Sequence, residues 1–175
     1  MTDMLRKLIN KIIEYQHLLL ILLSLFLILT SSWIVMGRSI RPNASVWDYL
    51  HVYLGMVVAG LSVPMLLANV AKGKWRQFFP WLMGDFTQLS RDICGLKRGN
   101  IPAAGGRGLF SVIEGIGLIL LLLVSFTGVM WFVTQGSSEA LNWRSYHQSS
   151  AHGFIGFMLV HSVCAAAHLI DLVRN

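Results

Sequence analysis

Four stretches of this sequence, residues 18–35, 49–70, 109–133 and 153–170, carry almost no charge; Glu114 is the one acidic or basic residue in them. Each has about the length that a helix needs to cross some 30 Å of hydrocarbon. In lipid a chain must satisfy its own backbone polar groups, so apolar blocks of this length are read as helices. The expectation is an all-α membrane protein, a single transmembrane domain over residues 1–175. Its four helices run over about residues 11–36, 47–71, 108–134 and 146–173, with one long connection over residues 72–107. Only 13% of residues are charged, against about 25% in a typical soluble domain. The opening residues read as the start of helix one, not as a signal peptide, because the apolar run after them is too long and no small-residue cleavage site follows. Cys94 and Cys164 form no metal motif and imply no disulfide framework.

The net charge of +6 would suit nucleic acid, but its distribution argues otherwise. Eleven of the 14 Lys and Arg residues lie before helix one, in the long connection or at the chain end; Arg38, Arg41 and Arg144 alone lie in the two short loops. The positive-inside rule therefore puts both termini and the long connection in the cytoplasm of a bacterial inner membrane, with anionic lipid as the partner of the basic excess and no nucleic acid. Trp33, Trp47, Trp131 and Trp143 flank the outer ends of the spans, and Trp75 and Trp81 follow the inner end of helix two, which reads as an aromatic belt. Short outer loops make helices one and two, and three and four, antiparallel neighbours, so a four-helix bundle is expected. Within the long connection, "QFFPWLMGDFTQLSRDI" suits a short interfacial helix after Pro80, and "GLKRGNIPAAGGRG" supplies turns.

The six histidines are unexpected in such a chain, since ionisable residues inside a membrane are costly. His147 and His161 are fourteen residues apart, which leaves about 40° between them on one helix face and about 21 Å along the axis. His168 continues that stripe and His152 faces elsewhere. His51 lies near the outer end of helix two, level with His147. By helical rise His17 lies about 27 Å below the outer end of helix one, His161 about 22 Å deep and His168 about 32 Å. Depth therefore pairs His51 with His147, and His17 with either His161 or His168. A spread of about 21 Å excludes one zinc site, which needs its ligands to converge. Two facing pairs suit two b-type haems, each held by two imidazoles and so coordinatively saturated for electron transfer. Gly55, one turn below His51, and Gly153 and Gly156 on helix four leave room for a large flat group. A proton relay and plain interhelical hydrogen bonding are the competing uses of such histidines.

The segments "YQHLLL", "YLHVYLGMVV" and "YHQSSAHGFIGFMLVHSVCAAAHL" resemble the bacterial di-haem cytochrome b561 family, and the stretch from "GKWRQFFPW" to "GVMWFV" is similar to the b-type cytochrome subunits of formate dehydrogenases and nickel–iron hydrogenases. The resemblance implies His51 and His147 as ligands of an outer haem b, and His17 and His161 as ligands of an inner one. His168 would then stand beside the inner haem or a quinone. A formate dehydrogenase pattern would use His152 and a residue fourteen on, which here is Ala166.

A transmembrane electron wire needs a donor and an acceptor, and quinone is the natural membrane partner. Its reduction consumes protons, for which Glu14, Glu114, His168 and Asp171 lie at the inner level, with Glu114 expected to be buried. No part of the sequence suggests a flavin, pterin or iron–sulfur site, so the leading expectation is an electron-transfer subunit served by a periplasmic or membrane-bound oxidoreductase. The alternative is a stand-alone cytochrome, and a homo-oligomer is compatible with it, that oxidises superoxide and reduces quinone. Arg38, Arg41 and Arg144 would draw an anion toward the outer haem or pair with haem propionates and lipid phosphates.

Overall fold

The structure, a computed structural model, describes residues 2–70, 75–99, 102 and 106–174; the side chains of residues 2–10, 12–14, 171, 172 and 174 are outside the described set. All regular structure among the described residues is helical. The elements are α1 (Thr2–Thr30) with a 3₁₀ turn over Ser31–Trp33, α2 (Val46–Val70), α3 (Trp75–Phe78), a 3₁₀ turn over Pro80–Met83, α4 (Thr87–Leu96), α5 (Leu109–Val133) and α6 (Glu139–Arg174). Among the described residues, four helices are long and apolar enough to cross a membrane: Tyr15–Trp33, Val46–Val70, Leu109–Val133 and Glu139–Ile170.

The middle two spans match the expected bounds within a residue. The outer two do not. Helix α1 begins nine residues before the expected position and gives way to a 3₁₀ turn at Ser31, where the Thr30 and Ser31 hydroxyls bond back to the Phe26 and Ile28 carbonyls. Helix α6 begins at Glu139 rather than near 146. Gly136, in the left-handed region at φ 85°, closes the turn after α5, and Glu139 then places an acid in the first turn of α6, where the helix dipole favours it. The connection is short because nothing between Ser138 and Tyr146 breaks a helix.

Packing divides the chain into two compact units, Met1–Ala68 with Leu121–Ala151, and Asn69–Leu120 with His152–Asn175. In the first, α2 opens on a capping box: the Asp48 carboxylate accepts from the Ser45 backbone N–H at 2.8 Å, and the Ser45 hydroxyl accepts from the Asp48 N–H at 3.2 Å. The same carboxylate, 1% exposed, accepts from the Val35 N–H at 2.9 Å and so ties the end of α1 to the start of α2. At the other end of this pair, the Gln16 side-chain amide donates to the Leu61 carbonyl at 2.7 Å, three residues before Pro64. An interior proline perturbs the backbone bonding of the preceding turn, and a side chain from a neighbouring helix satisfies it. Trp131, Val52 and Ala140 form a buried cluster with Met36, Ile40, Phe132 and Trp143 packed on it. Trp131 is therefore core and not part of the interfacial belt: it is 7% exposed and its indole N–H donates to the Gly37 carbonyl. Trp33 and Trp47 pack on one another with ring centres 4.9 Å apart and planes tilted by 48°, and stay substantially exposed, as belt residues should.

In the second unit, Gly115 and Gly117 let α5 be approached closely. A Cβ at Gly115 would collide with the Phe78 carbonyl, and one at Gly117 with the Phe157 ring. The connection after α2 is folded, with α3 and α4 separated by Pro80 and by Gly84 at φ 67°. Arg107 pairs with Asp85 at 3.1 Å and holds the Asp85 carboxyl below its ordinary value.

Candidate haem-ligand site

His51 sits six residues into α2 and His147 nine residues into α6. Both are half-buried, and their ring centres stand 6.1 Å apart with planes at 85°. The structure thus brings together the pair that depth in the sequence singled out. The arrangement around His147 fixes its ring. Its Nδ1 lies 3.0 Å from the Val124 carbonyl, which selects the tautomer with the proton on Nδ1 and leaves Nε2 as the open nitrogen. The Thr127 hydroxyl lies 3.4 Å from the same Nδ1 and 3.1 Å from the Ser150 hydroxyl, while Ser150 donates to the His147 carbonyl. Gly128 makes space: a Cβ there would stand 3.2 Å from the His147 Cε1 and Nδ1.

These residues fit a metal shared by two imidazoles: with ring centres 6.1 Å apart, one nitrogen of each ring would be within reach of a metal between them. His51 Nδ1 is buried with no hydrogen-bond partner, and a buried polar atom in that state calls for an explanation such as an unseen ion. A Cβ at Gly55, one turn along α2, would meet nothing within 4 Å, so the space beside the pair is open.

The other expected residues are placed as follows. His17 is exposed on α1 in the first unit, and His161 is half-buried on α6 in the second, its ring 5.3 Å from Phe157. The pairing of His17 with His161 joins residues of different units and rests on the sequence alone. His168 is exposed, edge-on to Phe110 at 6.2 Å, and His152 is exposed. Gly156 is open, whereas a Cβ at Gly153 would press on Leu120. Glu114 is exposed, which corrects the expectation of a buried acid: it lies only six residues into α5, near enough to the helix end for a long side chain to extend outward. The side chains of Glu14 and Asp171 lie outside the described residues.

Two of the three arginines at this end are engaged by the protein itself. Arg144 donates to the Met36 carbonyl, and Arg41 pairs with Asp48 at 3.5 Å. Arg38 is exposed, and its carbonyl accepts from the Gly136 N–H. Sequence reasoning missed Asp48, Thr127, Ser150 and Gly128. "SVWD" ahead of an apolar run was a legible capping signature; the others needed the facing of α5 and α6.

A family model described as prokaryotic cytochrome b561 matches residues 10–172. Neither a curated protein nor a solved structure matches the chain.

Proposed function

The chain belongs to the prokaryotic cytochrome b561 family, and from that premise we propose that it is a di-haem b-type cytochrome carrying electrons across the membrane between a redox partner and the quinone pool. Membership makes it a multi-pass membrane cytochrome, with electron transfer and haem b implied. The observation that carries the finer reading is the His51–His147 pair at 6.1 Å. His51 and His147 are the ligands at the short-loop end, and His17 and His161 those at the opposite end. When bound, haem b supplies a one-electron couple, saturated by two imidazoles. The chain's own part is to fix and shelter the ligands. Val124 orients His147, Gly128 admits its ring, and the Val52–Trp131–Ala140 cluster covers the level just beyond.

At the long-loop end, Phe110, His168 and Glu114 suit a quinone headgroup. The His168 ring meets Phe110, Glu114 lies one turn on from Phe110, and both His168 and Glu114 are accessible from outside the packed helices. An imidazole and a carboxylate there can pass the protons that quinone reduction consumes. Eleven of 14 cations on that side support a cytoplasmic placement, which would turn the short-loop end toward an oxidoreductase partner across the membrane. The alternative, superoxide oxidation by the chain alone, would draw its anion with cations at that end; Arg41 and Arg144 are engaged by the protein itself, which leaves the exposed Arg38 for that role.

The test is a pyridine haemochrome assay on purified protein, followed by addition of a quinol analogue. Two b haems per chain, reduced by the quinol, are expected. No haem, or haem that no quinol reduces while superoxide does, would overturn the proposal.

A further inference from the structure

Helix α4 leaves its apolar side uncovered. At about 100° per residue, Leu89, Ile93, Leu96 and the flanking Phe86 share one face, and Phe86, Ile93 and Leu96 are 49, 43 and 46% exposed. Arg91 projects from the opposite side and is exposed. A third side turns to the protein: buried Asp92 accepts from the Gln88 side chain at 2.9 Å and from the Leu109 backbone N–H at 2.8 Å. Leu109 is the first residue of a candidate membrane span, so this bond ties α4 to the start of that span. Gly108 is needed there, because a Cβ would collide with the Asp92 carboxylate.

The charge around α4 is one-sided. Residues 71–108 carry seven Lys and Arg against Asp85 and Asp92. One acid is committed to Arg107 and the other is buried at the start of α5. Lys97 and Arg98, exposed at the C-terminal end of α4, are left to face outward. We infer that α4 lies in the plane of the membrane interface, with Phe86, Ile93 and Leu96 among acyl chains and Lys97 and Arg98 on anionic phospholipid headgroups. An amphipathic helix with cations beside its apolar face binds bilayers in this way, and cations near an anionic leaflet add to the attraction. The Asp92–Leu109 bond then couples the lipid-bound helix to the end of α5.

The test places a nitroxide at Ile93→Cys or Arg91→Cys in the full chain, with Cys94→Ser and Cys164→Ala, reconstituted in nanodiscs of mixed phosphatidylglycerol and phosphatidylcholine. Collision rates with oxygen and with a water-soluble nickel chelate are compared. The oxygen-to-nickel ratio is expected to be several-fold higher at 93 than at 91, and to fall at 93 in phosphatidylcholine alone. Equal ratios at the two positions would put α4 in water, and shielding of 93 from both reagents would mean that protein covers it; either result overturns the inference. A contrast unchanged without phosphatidylglycerol overturns the headgroup contact.

Discussion

Asp48 is the residue whose loss should damage the short-loop end most. Replacing it with Ala removes the acceptor for the Val35 N–H at 2.9 Å, the Ser45 N–H at 2.8 Å and the Ser45 hydroxyl at 3.1 Å. A hydrogen bond to a charged acceptor contributes about 1.5–3 kcal/mol, so losing two of them costs about 2–5 kcal/mol once water reaches the exposed Val35 and the half-exposed Ser45. The Arg41 pair adds little, because it is 3.5 Å long and the Arg41 side chain is 40% exposed; such pairs contribute about 0–1 kcal/mol. Asp48→Asn keeps one carbonyl oxygen and so retains one of the two backbone bonds, at roughly half the cost. The expected order of destabilisation is Asp48→Ala, then Asp48→Asn, then Arg41→Ala. It is measured as unfolding free energy by SDS titration of the purified protein. Because His51 lies one turn further along α2, retention of a bound chromophore should follow the same order. If Arg41→Ala cost as much as Asp48→Ala, the ion pair and not the capping box would hold this end, and the reasoning would fail.

Gly128→Ala forces the His147 ring to shift by a few tenths of an ångström, since the new Cβ would stand 3.2 Å from it; Gly128→Val adds two more methyl groups. Haem per chain is expected to fall slightly in the first and by about one equivalent in the second, and full occupancy in the Val variant would show that this face of His147 is not constrained. His161→Ala is expected to remove the haem at the long-loop end, while His168→Ala keeps both haems and slows reduction by quinol; loss of haem in His168→Ala would reverse the ligand assignment. Asp85 is held below its ordinary value of 3.8, chiefly by its hydrogen bond from Arg107. A carboxyl lowered on folding stabilises fully above its unfolded value, and that contribution is lost as pH falls through the folded one. Limited proteolysis of the α3–α5 connection should therefore accelerate below that pH in the native chain, whereas Asp85→Asn should show the faster cleavage already at neutral pH; cleavage unaffected by the substitution contradicts this.

The spans were legible because length and hydropathy alone select them, and the His51–His147 pair because helical rise sets depth without any knowledge of packing. The start of α6 was not legible: residues 139–145 mix Ala140, Leu141 and Trp143 with polar and charged residues and do not extend the apolar run, so only the lack of a breaker after Ser138 marks them as helix. Trp131 looked like a belt residue because composition cannot tell an indole that anchors in headgroups from one whose N–H closes a loop onto Gly37. Glu114 looked buried because its sequence neighbours are apolar, yet a long side chain near a helix end escapes the packed face. Thr127, Ser150 and Gly128 acquire meaning only when α5 and α6 are set against one another.

The most direct test of the central claim is to count haem in His51→Ala and His147→Ala against the native protein, by pyridine haemochrome and low-temperature EPR. Two low-spin haems in the native chain and one in each variant, with the same signal lost from both, is the expected result. Two low-spin haems persisting in either variant would show that the 6.1 Å pair does not hold a metal, and the account of this site would be wrong.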